Sequence, residues 1–356
     1  MNDRVKGTVI AAVGVLCVTP DAVLVRWATH LGAPRLQLLF WRLVSNTVFG
    51  SLMIAALNAD RGLKEVARSA ARGPGPLVLA TLFQATTSLL LPAAFLLTFA
   101  ANVMLCLSMS PLFAALIGVF VLKDSLPTRT AWAIVAAVVS MVVMFLPGAL
   151  RGENNADEST DGDHDRGGTV GAGAGTVGDV FALLAAVTTA LYITTSRATA
   201  LSSRPDVPVE IATAAGAAVA AAGCAAAILS NGESLLDGTS PLFFLAMTFN
   251  GFGLAAIYFS FAVAPRYISG AQVALISLLE TLLAPLYVFI IYDEVPPASV
   301  LCGGGLLLGA VATHEILALR EDQRQHAAIK TTTTTAMAAV PPHPKYDALG
   351  LPPSLP

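Results

Sequence analysis

Two charged side chains lie deep inside apolar runs, and they are the residues most able to do chemistry. Glu280 stands near the middle of the stretch from Gly270 to Pro297, and Arg42 lies about two turns into the run that starts at residue 34. A charge at the centre of a membrane-spanning helix raises the insertion free energy by roughly 2.5 to 3.5 kcal/mol, so each should face a partner or a wet space. A carboxyl group at that depth can take up a proton from one aqueous face and release it to the other. Glu280 is therefore a candidate proton acceptor; the alternative is a hydrogen-bonded structural carboxylate. At about 100° per residue, Ser269, Gln272, Glu280 and Tyr287 share an arc about 80° wide that holds no Lys or Arg, so no cation is expected close to the carboxylate. Arg42 shares an arc about 100° wide with Ser45, Asn46 and Phe49. It can hold an anionic group of a ligand, or form an ion pair with Asp21, which lies at similar depth in the first run. Gln84, Asn102, Tyr192, Asn250, Tyr258 and Gln272 are neutral polar residues within apolar runs. Each alone reads as interhelical glue, worth about 0.6 kcal/mol; as a set, two or three should line a cavity. The candidate substrate-binding residues are thus Arg42, Asn46, Gln84, Asn102, Tyr192, Asn250, Tyr258, Gln272 and Glu280.

The elements that must position them are membrane helices. Of 356 residues, 55% are hydrophobic and 12% charged, with mean hydropathy +0.72, whereas soluble domains carry about 25% charged residues. Ten apolar runs have spanning length: 7–28, 34–57, 76–97, 100–122, 129–147, 178–200, 208–230, 240–263, 268–292 and 297–319. With the N-terminus in the cytosol, only Arg26, Arg35, Arg151 and Arg166 fall on the outer side and Arg42 within a span; the other fifteen of the 20 Lys and Arg face inward. Cys17, Cys106, Cys224 and Cys302 all lie in apolar runs and have no metal or disulfide spacing. Gly305 and Gly309 form a small-xxx-small pattern that predicts close helix packing.

Residues 149–177 are acidic and Gly-rich and read as a disordered loop, and 320–356 as a disordered cytosolic tail. They leave two five-helix blocks, 1–148 and 178–319. Five is odd, so the second block enters the membrane upside down relative to the first. A repeat is visible within the blocks. Ser110 to Pro127 and Gly270 to Pro297 are both apolar helices that end in an acidic turn and a proline, with Asp124 matching Asp293 at an offset of 169 or Glu294 at 170. The expected fold is an all-α membrane protein of ten transmembrane helices in two inverted five-helix repeats.

The chain resembles the drug/metabolite transporter superfamily in its EamA-like branch, over roughly Lys6 to Leu319. The resemblance rests on Phe40-Trp41-Arg42, on Ala100-Ala101-Asn102 through Ser110-Pro111-Leu112-Phe113, and on Leu279-Glu280 with Asp293-Glu294. Family members end the corresponding helix of each half with Gly-Glu; here Lys123-Asp124 and Asp293-Glu294 replace both glycines. The resemblance implies ten helices, cytosolic termini, a central cavity reached alternately from each side, and export or exchange of small metabolites. Secondary transport is thus the expected function, with a membrane-embedded enzyme or a channel or receptor as alternatives. The chain lacks His-Glu-x-x-His, Gly-x-Ser-x-Gly and Walker-type phosphate motifs, so neither an enzyme nor direct ATP drive is expected. Expected partners are a small-molecule substrate and the lipid bilayer; a homodimer is compatible with this reading. No cofactor, metal or nucleic acid is expected, and the chain is expected to be an integral, multi-pass membrane protein.

Overall fold

The computed structural model describes residues 3–60, 63–98, 100–123, 127–158, 172–202, 207–293 and 298–314, together with 316, 317 and 320. Among these residues the chain is helical and has no strand. It divides into Met1–Ala312 and Thr313–Pro356. The described residues of the second unit are helical; the rest of the expected tail lies outside the described residues, as do Asp124 and Glu294.

The elements are α1 (Asp3–Val18), α2 (Asp21–His30), α3 (Arg35–Leu57), α4 (Leu63–Arg72), α5 (Pro74–Leu97), α6 (Ala100–Leu107), α7 (Ser110–Leu122), α8 (Thr128–Glu158), α9 (Ala172–Leu201), α10 (Ile211–Ser230), α11 (Pro241–Val263), α12 (Gly270–Ser277) and α13 (Leu279–Tyr292). A last apolar helix, α14, covers Ala298–His314. Eight helical stretches are long and apolar enough to cross a membrane, which makes this a multi-pass membrane protein. Two shorter apolar helices, Thr128–Met144 within α8 and Ala298–His314, sit at the lower limit of about 17 residues for a crossing. Among the described residues, eight stretches thus qualify by length and composition. At the expected loop 149–177, α8 continues to Glu158 and α9 begins at Ala172; residues 159–171 lie outside the described residues.

Three of the eight spans are broken. Asp3–His30 breaks at Thr19–Pro20, because proline has no N–H for the carbonyl one turn back. The Thr19 hydroxyl donates to the Val15 carbonyl at 2.7 Å and helps to close that end. The span Asn102–Leu122 breaks at Ser108–Met109, just before Pro111. Gly270–Tyr292 breaks at Leu278, where the Ser277 and Thr281 hydroxyls donate to the Ala274 and Leu278 carbonyls, a pairing that bends helices. By contrast, α5 runs through Pro92 without a break.

After its break, each of the last two spans ends on a non-glycine residue in the left-handed conformation: Lys123 at φ 56° and Asp293 at φ 55°. That conformation costs an ordinary L residue about 1–2 kcal/mol and costs glycine almost nothing, with Asp better tolerated than Lys. Lys123→Gly should therefore raise Tm, since relief of strain exceeds the roughly 0.4–1 kcal/mol of extra unfolded-chain entropy. Asp293→Gly should raise it less. Thermal unfolding in detergent checks both, and a fall in Tm for Lys123→Gly would contradict the strain argument.

Helix α11 lies against α1, α2 and α3, and α9 lies against α5, α6 and α7. The main apolar core joins Val15, Tyr192, Ile257, Tyr258, Phe261 and Ile276, with Phe113, Ile117, Leu279 and Leu283 against it. The expectation for Gly305 and Gly309 is corrected: among the described residues, a Cβ at either position would have nothing within 4 Å. The close approach of α14 is made instead by Gly303, where a Cβ would lie 2.6 Å from the Ser140 carbonyl oxygen.

Candidate functional site

The break at Pro20 sets Asp21 in the first turn of α2, at the end of the helix where exposed N–H groups favour negative charge. Arg42, two turns into α3, donates to Asp21 Oδ2 at 3.1 Å. The Asn250 amide, on α11, donates to the other oxygen, Oδ1. Both carboxylate oxygens are thus held, by elements far apart in sequence. The Arg42 and Asp21 side chains retain 17% and 21% of their exposure, so the pair is not sealed.

One helical turn beyond Arg42 is Asn46, fully buried. Among the described residues neither its Nδ2 nor its Oδ1 has a hydrogen-bond partner, and the same holds for Asn250 Oδ1. A buried polar group left unmatched costs about 1–3 kcal/mol, so three such atoms beside one ion pair are unusual for a merely structural contact. Together they offer donors and an acceptor from Asn46 and a second acceptor from Asn250.

Glu280 lies in the first turn of α13, directly after the break at Leu278. It repeats the placement of Asp21: an acid at the start of the second part of a broken span. Asp21 and Arg42 both act on it electrostatically. Its own helix face has no cation, as the sequence indicates, but the expectation that none is near is corrected, because α3 supplies Arg42. Tyr258 feels the same three charges and lies near Ser88 of α5. The Arg26 guanidinium stacks 4.5 Å above the Tyr292 ring and ties α2 to α13.

The structure therefore brings together Arg42, Asn46, Asn250, Tyr258 and Glu280 from the expected set, with Asp21 and Ser88 added. Of the other four, Gln84 reaches Ser88 and the Tyr192 hydroxyl donates to the Tyr258 carbonyl at 3.4 Å, so both border the cluster, while Asn102 and Gln272 lie elsewhere. Gln84 is buried and donates to Ser88 at 3.3 Å, with its stem against Gly216 of α10. Asn102 donates to Thr98, which donates to Asp179. The Tyr192 hydroxyl pairs with Thr213 at 2.9 Å. Gln272 closes a capping box with Ser269 at the start of α12, a local role that serves the helix end. A shallow cleft between α7, α9 and α12, lined by Ala114, Gly118, Thr194, Arg197, Ser269 and Gly270, includes none of the expected residues.

Sequence reasoning missed Glu210. Its side chain is 3% exposed, accepts from Arg266 in an ion pair, and also takes a bond from Asn58 at 3.4 Å. The available signal was an acid two residues inside the apolar run 208–230, with Arg204 the nearest basic residue before it. Among the described residues no group of three or more His, Cys, Asp or Glu could hold a metal ion.

No family model matches the chain, and no curated protein matches its sequence. Among solved structures, one crystal structure described only as that of a protein matches with a TM-score of 0.65 at 18% identity, over 88% of this chain and 98% of the other. At that identity the likeness extends to the fold alone.

Proposed function

We propose that the chain is a secondary transporter that moves small metabolites by alternating access, as an exporter or exchanger, and that it is an EamA-like member of the drug/metabolite transporter superfamily. The observation that carries this reading is the cluster of Asp21, Arg42, Asn46, Asn250 and Glu280. Ion-paired and unmatched polar groups converge at membrane depth, and two of them open the second parts of broken spans. Discontinuous helices with polar groups at the break are how many transporters build a binding site within the bilayer. The reading gives the cluster a binding role and assigns no catalytic residue.

The same reading takes the ten apolar helices as two inverted five-helix repeats. Support comes from two features spaced 170 residues apart. The helices before the two breaks end at Leu107 and Ser277, and the left-handed ends fall at Lys123 and Asp293. These favour 170 over 169 as the offset, and they pair Ser110 with Glu280, so only the second half carries the acid.

Uptake by the purified chain in liposomes, against a metabolite panel with and without a pH gradient, tests the proposal. Saturable uptake of at least one compound is expected, and Asn46→Leu should abolish it while the chain stays folded. No uptake above protein-free liposomes for any compound would count against transport. Glu280→Gln should keep substrate binding and lose acceleration by the gradient. Equal gradient dependence in this variant and the parent would remove Glu280 from any coupling role.

A further inference from the structure

Helix α4 is unlike its neighbours. Its ten residues, Leu-Lys-Glu-Val-Ala-Arg-Ser-Ala-Ala-Arg, span about 15 Å and are too few and too polar to cross a bilayer. It is inserted between two spans, α3 and α5, with residues 58–62 on one side and Gly73 alone on the other. So short a connection confines it to the level where α5 begins. Val66 and Ser69 are buried, which fixes one face against the protein. The C-terminal end is also held: a Cβ at Gly73 would lie 2.5 Å from Val207 Cγ2.

The opposite face is exposed and basic. Lys64, Arg68 and Arg72 recur every fourth residue and make a row within an arc of about 80°. Glu65, beside the row, is the helix's one acid, so α4 carries a net charge of +2. Among the described residues no carboxylate pairs with Lys64 or Arg68. Arg72 has an interaction of its own, so the docking argument rests on Lys64 and Arg68. Cations on a short polar helix between two spans are expected at the depth of lipid phosphates.

We propose that α4 is a docking surface for anionic phospholipid headgroups. Zwitterionic headgroups carry their own ammonium and satisfy such a row less well. The choice of lipid over a soluble acidic partner rests on the confinement of α4 to the bilayer edge and on the match of charge. The inference does not depend on the chain being a transporter.

Native mass spectrometry of the full chain, released from micelles holding phosphatidylglycerol and phosphatidylcholine in equal amounts, tests it. The parent should retain phosphatidylglycerol in excess. Each neutralised cation should lower that excess by about fivefold, the effect of one basic residue at an anionic surface, so K64Q/R68Q should come close to the ratio in the mixture. Glu65→Lys should raise the excess, which guards against reading a folding defect as lost binding. Excess inorganic phosphate should leave retention unchanged. Equal retention by the parent and K64Q/R68Q overturns the proposal, and so does a parent with no preference, as a solvated face or a soluble acidic partner would give. Displacement by inorganic phosphate also overturns it, because the row would then be a free-anion site.

Discussion

Arg42→Ala slows transport of a substrate found in the liposome panel by on the order of tenfold to a hundredfold, because a hydrogen bond to a charged group is worth about 1.5 to 3 kcal/mol. The substitution also leaves Asp21 with Asn250 alone. Breaking a buried pair typically destabilises by about 3 to 5 kcal/mol; the effect here should be smaller, since both side chains keep some exposure. Asp21→Asn should have a smaller effect than Arg42→Ala, because Arg42 then still acts on Glu280. Arg42→Lys keeps the charge but loses the planar fork, and should fall between. The double variant D21N/R42Q separates structure from function. A pair that only held helices together would recover both Tm and transport once both charges were gone. A pair that serves the substrate should recover Tm and stay slow. Parent-like transport in Arg42→Ala, with an unchanged KM, would remove Arg42 from the site.

Much of this arrangement is legible from residue types. Arg42, Asn46, Asn250, Tyr258 and Glu280 stand out because polarity inside an apolar run needs a reason, and periodicity placed Arg42 and Asn46 on one face of α3. The arc from Gln272 to Glu280 was less informative, because it assumed one continuous helix. The break at Leu278 has no proline or glycine to announce it, so the register beyond it is hidden. The break at Pro20 was signalled by its proline, yet its consequence, Asp21 at a helix start, depends on where α3 and α11 lie. Contacts between elements distant in sequence decide the rest. The cation near Glu280 comes from a helix more than two hundred residues away, and Glu210 becomes part of a network only because the turn Ala264–Arg266 brings Arg266 to it. The choice between the two repeat offsets was equally closed to residue matching. Asp occurs at both 124 and 293, but the left-handed residues are Lys123 and Asp293, so within the proposed repeat conformation rather than residue type favours one offset.

The position of α11 against α3 depends on Gly251, and its substitution should produce the largest loss of stability. A Cβ there would lie 2.2 Å from Ser45 Cβ and 2.7 Å from both the Asn46 nitrogen and the Ser45 carbonyl carbon. Two of those three atoms are backbone, so no rotamer change relieves the overlap, and the helices must separate. Overpacking of this kind costs about 1–3 kcal/mol even where side chains can yield; Gly251→Val should reach the upper end or pass it. The damage is also specific. Asn250 precedes this glycine and Asn46 follows Ser45, so separation of α3 from α11 pulls apart the groups that converge on Asp21. Gly251→Ala should therefore lose substrate binding along with Tm. Adding Ser45→Gly removes the nearest contact and leaves the two backbone contacts, so it should rescue Gly251→Ala in part. Gly305→Ala is the control: nothing lies within 4 Å of a Cβ at that position, and Tm should hold. Thermal unfolding and substrate binding, measured together for the four variants and the parent, decide the matter. If Gly251→Ala has the parent's Tm, the close approach of α11 to α3 is not what holds the cluster in place.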